Sequence, residues 1–127
     1  MTFHKETTLI LHITSQSEWQ EAQVRGAYTA PSLQTEGFIH CSTDQQVTHV
    51  ANAFYRGRGD LVLLVIDESK LTSELKWEAP AGPPASGISV TDLFPHVFGP
   101  IALTAVASVL DFKPDPVTGN FTLPANN

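Results

Sequence analysis

A chain of 127 residues has the length of one domain, and 42% hydrophobic with 16% charged residues excludes a disordered segment and predicts a single core. The net charge of −6 works against non-specific attraction to nucleic acid or anionic lipid, and no stretch reaches the roughly 20 apolar residues that span a bilayer. Cys41 is alone, so no intramolecular disulfide forms, and the N-terminal run lacks the marks of a signal peptide; the expectation is one soluble, cytoplasmic domain over 1–127.

Thr8 to Ile13 is rich in strand formers and predicts a buried strand with His12 near its C-terminal end. Ser17 then opens a helix, with Gln20 reaching back as in a capping box, Gly26 as the stop, and Trp19 and Ala22 facing the core. Tyr28 to Thr35, interrupted by Pro31, reads as a loop. A strand over Phe38 to Ser42 places Phe38, His40 and Ser42 on one side and Ile39 and Cys41 on the other. A second helix runs from about Thr43 to Gly57, with Val47, Val50, Ala51 and Phe54 on a buried stripe and His49 on the surface.

Asp60 to Asp67 is apolar on both faces and predicts the central strand. Leu71 to Glu78 predicts a short turn and then a strand holding Trp77 and Glu78, and Ala79 to Asp92, broken by prolines and glycines, predicts a loop long enough to close over a ligand. After the Phe94 to Pro100 block, Ile101 to Phe112 reads as one last strand. The core therefore covers about 8–112, and 113–127 is a tail or a short hairpin around Thr118-Gly119-Asn120. Arg56 and Arg58 flank Gly57 in what reads as a solvated turn rather than a phosphate site.

Three of the five histidines, His12, His40 and His96, sit in apolar segments near strand ends, and a buried imidazole needs partners for both ring nitrogens. Any one of them alone fits a core histidine bonded to backbone carbonyls, whereas three at comparable places point to a shared site. Zinc would take three such ligands with Glu78 or Cys41 as the spare, but HExxH, HxH and CxxC spacings are absent and no metal is expected. Cys41 is either a histidine-activated nucleophile or a buried structural thiol; its neighbour His40 points to the opposite face. Glu36 and Glu78 are candidate acid–base carboxylates, Trp77 reads as core, and Tyr28 and Phe98 are placed to line a pocket for a planar ring. The glycines form neither GxGxxG nor GxxxxGK[ST], which excludes Rossmann-type and P-loop nucleotide sites.

The blocks Leu11-His12-Ile13-Thr14, Ser32-Leu33, Glu36 to Ser42 with Gln45, Leu61 to Asp67, Trp77-Glu78 and Phe94 to Pro100 occur in this order, and together the chain resembles the small bacterial domain-of-unknown-function family 952 from about residue 8 to 112. The resemblance implies an α+β, ADP-ribosyltransferase-like fold: a split, strongly bent, mixed or antiparallel sheet with two main helices and NAD in its central cleft. His12 and Thr14 match the first-strand pattern that bonds the adenosine ribose, with Ile13 where that pattern has glycine, and His40 lies on the strand in second-motif order. His96 stands where typical members carry a glutamate, and an imidazole does not stabilise developing positive charge as a carboxylate does.

The resulting expectation is a cytoplasmic domain that binds NAD or a related nucleotide or ribosyl metabolite. His12, His40 and His96 are its catalytic candidates, and Thr14, Ser32, Glu36, Ser42 and Phe98 its ligand-binding candidates. A small-molecule nucleotide is the expected partner, with no nucleic acid and no membrane. A non-catalytic sensing or interaction domain and a zinc-dependent hydrolase stand as alternatives.

Overall fold

A computed structural model describes residues 9–80, 82–89 and 91–124 and shows an α+β fold built from antiparallel sheets. The central sheet has the order β1 (Leu9–Ser15), β4 (Leu61–Asp67), β8 (Val106–Phe112), with His12 opposite Leu64 and Leu64 opposite Val109. A second sheet pairs β3 (Ile39–His40) with β6 (Phe94–Val97), and β6 in turn with β5 (Leu75–Glu78). The short β2 (Ala27–Tyr28) pairs with β7 (Ile101–Ala102). Helices α1 (Gln16–Arg25), α2 (Ser32–Thr35) and α3 (Val47–Phe54) fill the connections.

The apolar run of β4 is central, as its lack of a polar face requires, and its alternation divides the interior in two. Val62, Leu64 and Ile66 join Ile10, Tyr28 and Ile39 in one cluster. Leu61, Leu63 and Val65 join Ile13, Val47 and Phe112 in another. Two packed layers thus replace the single core expected, because a strand buried on both faces needs a cover on each.

Several boundaries differ from the sequence reading, each for a local reason. Ser15, and not Ser17, caps α1: its Oγ accepts from the Glu18 N–H at 3.1 Å, and β1 passes into the helix without a linker because the Gln16 N–H is already bonded to Asp60 O. Gly26 ends that helix as expected, at φ +96°. The expected loop over Tyr28 to Thr35 contains the pairing of β2 and the turn of α2, where Pro31 precedes the first helical residue and its missing N–H is no loss. The strand at Phe38 to Ser42 shortens to Ile39–His40, since the next residues change partner: Cys41 N–H bonds Pro95 O, and Ser42 bridges to Leu11 of β1. α3 begins at Val47 rather than Thr43, the Thr43 N–H being taken by Gln46 Oε1, and Phe54 at the end of its stripe is 67% exposed.

Trp77, expected in the core, is 40% exposed on the edge strand β5, while Trp19 is half-buried against the first cluster. Ile101 to Phe112 is not one strand: β7 pairs with β2, a 3₁₀ turn at Leu103–Ala105 follows, and β8 pairs with β4, so one apolar segment serves two sheets. The C-terminal segment forms no strand hairpin among its described residues. Asp115 caps a turn through the N–H groups of Val117 and Thr118, and the chain returns to bury Phe121 against Phe112, 4.7 Å between ring centroids. Asn52 holds it there by accepting from the Phe121 N–H at 2.6 Å, so the core extends beyond residue 112. No helix among the described residues is long and apolar enough to cross a membrane.

Candidate functional site

Antiparallel pairing sets His40 of β3 directly opposite His96 of β6, and their rings stand 5.6 Å apart at 72°. Phe38, on the same side of its segment as His40, stacks on His96 at 4.1 Å. Each imidazole is backed by a carboxylate. Glu36, at the end of α2, lies 2.9 Å from His40 Nε2, and Glu78, on the neighbouring strand β5, lies 2.8 Å from His96 Nδ1. An N–H donated to each carboxylate leaves the second nitrogen of each ring, His40 Nδ1 and His96 Nε2, without a protein partner among the described residues. His96 is 3% exposed, yet its Nε2 is not a sealed orphan, since the buried side-chain polar atom lacking a partner among those residues is Oε2 of Glu68. His96 meets solvent through a cleft that it lines.

That cleft has a volume of about 330 Å³ and is walled by Val50 and Phe54 of α3, Phe94, and Pro80, Pro83 and Pro84 of the long loop. Residues of this loop line the same cleft as the histidine pair. Gln46 Nε2 donates to Leu93 O at 2.8 Å, and Gly87 sits at φ +90° with its α-carbon against the His49 ring. A methyl at Gly87 would both collide with that ring and force a side chain into the left-handed region. Gly87→Ala is expected to loosen the loop at a cost of about 1–2 kcal/mol, with faster amide exchange at Ile88 and Ser89 as the measurement; unchanged exchange would count against the seating of Gly87 on His49.

His12 approaches from behind. Its Nδ1–H donates to the carbonyl of His40, and its Nε2 lies 2.8 Å from Tyr28 Oη, so both ring nitrogens are engaged. Burial pushes its pKa down to about 4, against the smaller upward pull of the His40 carbonyl, and the ring is neutral at pH 7. Burial likewise pushes the Tyr28 hydroxyl up. His12 opens onto an adjoining cavity of about 370 Å³, lined also by Glu18, Pro31, Ser32 and Tyr55, which shares His40, Ser42, Val50 and Phe54 with the first. The structure thus brings His40 and His96 together and sets His12 against the backbone of His40, in the next chamber.

The other expected residues divide by position. Thr14 is buried beside Tyr28, at 2.9 Å between their hydroxyl oxygens. Ser32 ties α2 to the following strand by donating to Phe38 O at 2.8 Å, and Ser42 lines both cavities. Phe98 lies outside both, 5.4 Å from the Phe38 ring with Lys76 Nζ over its face. Cys41 is buried and burial pushes its thiol well up, which removes it as a nucleophile. Cys41 is therefore expected to react with a thiol reagent such as Ellman's only as fast as the protein unfolds; stoichiometric labelling of the folded protein would contradict its burial.

One residue lining the second cavity, Glu18, escaped the sequence reading. It is a first-turn helix carboxylate, and only its meeting with Thr14 Oγ1 at 3.0 Å distinguishes it. Glu78 was one of two candidate carboxylates, and the register of β5 on β6 decides its partner. Among the described residues no three of His, Cys, Asp and Glu gather as a metal-binding set. Among the described residues neither cavity lining includes a lysine or an arginine.

Comparison with solved structures finds the crystal structure of protein CC0527 from Caulobacter crescentus at 32% identity, covering 91% of this chain and 95% of that one with a TM-score of 0.77. A double mutant of the same protein gives the same values. Its solution NMR structure covers 84% and 86% of the two chains, with a TM-score of 0.68. No curated protein sequence matches. A family model, described as a protein of unknown function (DUF952), matches residues 13–109, which is more than half of the chain and takes in His40, His96 and both of their carboxylates, and the chain belongs to that family.

Proposed function

We propose that this cleft binds a small ring-bearing metabolite of the nucleoside or ribosyl class and that His40 and His96 exchange protons with it, as a glycosyl or ribosyl transfer requires. The observation that carries the reading is the pair of imidazoles, each with one nitrogen fixed on a carboxylate and the other unpartnered, facing each other across the sheet at the mouth of an apolar cleft. A carboxylate behind an imidazole sets its tautomer and stabilises its protonated form, so one ring serves as base while the other serves as acid. A cleft of about 330 Å³ is at the small end of the range for metabolite sites, roughly 300–1,000 Å³, and its proline and phenylalanine walls suit a planar ring.

An ADP-ribosyltransferase-like arrangement, with NAD as the substrate, is the finer form of this proposal. The third linear motif carries His96 in place of a glutamate, and Glu78, 2.8 Å from that ring, is a carboxylate near enough to support chemistry at a carbon developing positive charge. Among the described residues no lysine or arginine lines either cavity, which favours the phosphate-free end of the class.

Titration calorimetry with adenosine, nicotinamide riboside, ADP-ribose and NAD tests this. Heat is expected with a riboside, and His96→Ala is expected to weaken it about tenfold or more, the worth of one hydrogen bond to a charged group. If the bound riboside is cleaved, the same variant should lose about 10²–10⁴ in rate. Binding without turnover would favour a ligand-sensing domain, and no heat with any of the four would end the proposal.

A further inference from the structure

A line of hydrogen bonds leads from the backbone of His40 to the face of α1. The contacts are His12 Nδ1 with His40 O, His12 Nε2 with Tyr28 Oη at 2.8 Å, Tyr28 Oη with Thr14 Oγ1 at 2.9 Å, and Thr14 Oγ1 with Glu18 Oε1 at 3.0 Å. Each contact needs one proton between its two heavy atoms. A neutral imidazole, a phenol and an alcohol supply one each, and a carboxylate supplies none. The four contacts are therefore one proton short, and the line is complete only when an additional proton sits at one of its two ends, on His12 Nε2 or on the Glu18 carboxyl.

We infer that His12, Tyr28, Thr14 and Glu18 form a proton relay, which takes one proton from solvent at Glu18 and delivers it to His12 Nε2. In the transfer Glu18 O–H passes its proton to Thr14 Oγ1, Thr14 passes its own to Tyr28 Oη, and Tyr28 passes its own to His12 Nε2. Three O–H bonds break, two O–H bonds and one N–H bond form, and no heavy atom has to move. The carboxylic acid becomes a carboxylate as the imidazole becomes an imidazolium, and the reverse sequence returns the proton.

The two ends of the line fit these roles. Glu18 is partly exposed and lines the second cavity, so it meets water, whereas His12, which lines the same cavity, is buried and has both ring nitrogens already bonded, to His40 O and Tyr28 Oη. Burial disfavours the imidazolium, so in this relay His12 carries charge only transiently. The titratable groups near His12 are His40 from β3, Tyr28 from β2 and Glu18 from α1, with Cys41 and Tyr55 beyond Tyr28. A charged His12 would strengthen its bond to the His40 carbonyl and oppose protonation of the His40 ring. The relay rests on its own bonds, and it holds whether or not the cleft turns over a ligand.

Nuclear magnetic resonance of the full chain labelled with ¹⁵N and ¹³C tests it, by following the His12 ring nitrogens, the His40 carbonyl carbon and the Glu18 carboxyl carbon against pH. In the unmodified protein His12 Nε2 and His40 C=O are expected to shift with the same midpoint as Glu18. Glu18→Gln supplies a permanent N–H to Thr14 and no ionisable proton, so it should fix the line in one direction and abolish that shared step at His12. Tyr28→Phe should leave the Glu18 titration in place and uncouple His12 from it; if that variant does not fold, Thr14→Val cuts the next link. A His12 response unchanged in Glu18→Gln, or one still tracking Glu18 after either cut, would overturn the relay.

Discussion

Leu64→Ala is expected to lower the free energy of unfolding by about 2–5 kcal/mol, the range for emptying a fully buried leucine position. Leu64 has no exposed surface and occupies the middle of β4, with β1 on one side and β8 on the other. Its neighbours cannot close the gap cheaply, because its cross-strand partners His12 and Val109 are held by the ladder and the His12 ring is tied to His40 and Tyr28. Urea unfolding should show a lower midpoint with an unchanged slope, the sign of lost stability rather than a changed unfolded state. A loss below about 1 kcal/mol would mean that this face of the central sheet is not close-packed.

Acidification should weaken the fold through His12 by a comparable amount. Its pKa falls from 6.5 to about 4 on folding, chiefly because burial disfavours the imidazolium. Between those two pH values the unfolded chain binds a proton that the folded protein refuses, so stability rises with pH across the window. The contribution is fully present above pH 6.5 and is lost as pH falls toward 4, and a shift of this size corresponds to about 3 kcal/mol. His12→Gln keeps a donor for the His40 carbonyl and an acceptor for Tyr28 but cannot ionise in this range. Unfolding measured at intervals from pH 7 to pH 4 should therefore fall less steeply in the variant, and equal slopes would show that His12 is not held neutral by the fold.

The same residue shows what was readable from residue types and what was not. His12, His40 and His96 stood out because an imidazole in an apolar run needs partners, and all three have them. Which partners they have was not readable. His12 looked equivalent to the other two, yet its ring spends both nitrogens inside the fold, whereas His40 and His96 keep one each for the cleft. The partner of His96, Glu78, comes from 18 residues away, where only the register of two strands can place it.

Local chemistry determined what local forces control. The apolar run of β4, the glycine that ends α1, the turn and strand holding Trp77 and Glu78, and the proline-rich loop over the cleft follow from side-chain alternation and backbone freedom within a few residues. The tertiary structure decided the rest: the break of Ile101 to Phe112 between two sheets, the two-layer interior, the return of Phe121, and the division of three histidines into a facing pair and a buried anchor. These depend on which strands meet and in what register. Pairing energy is shared between segments tens of residues apart, so no single segment of the sequence contains it.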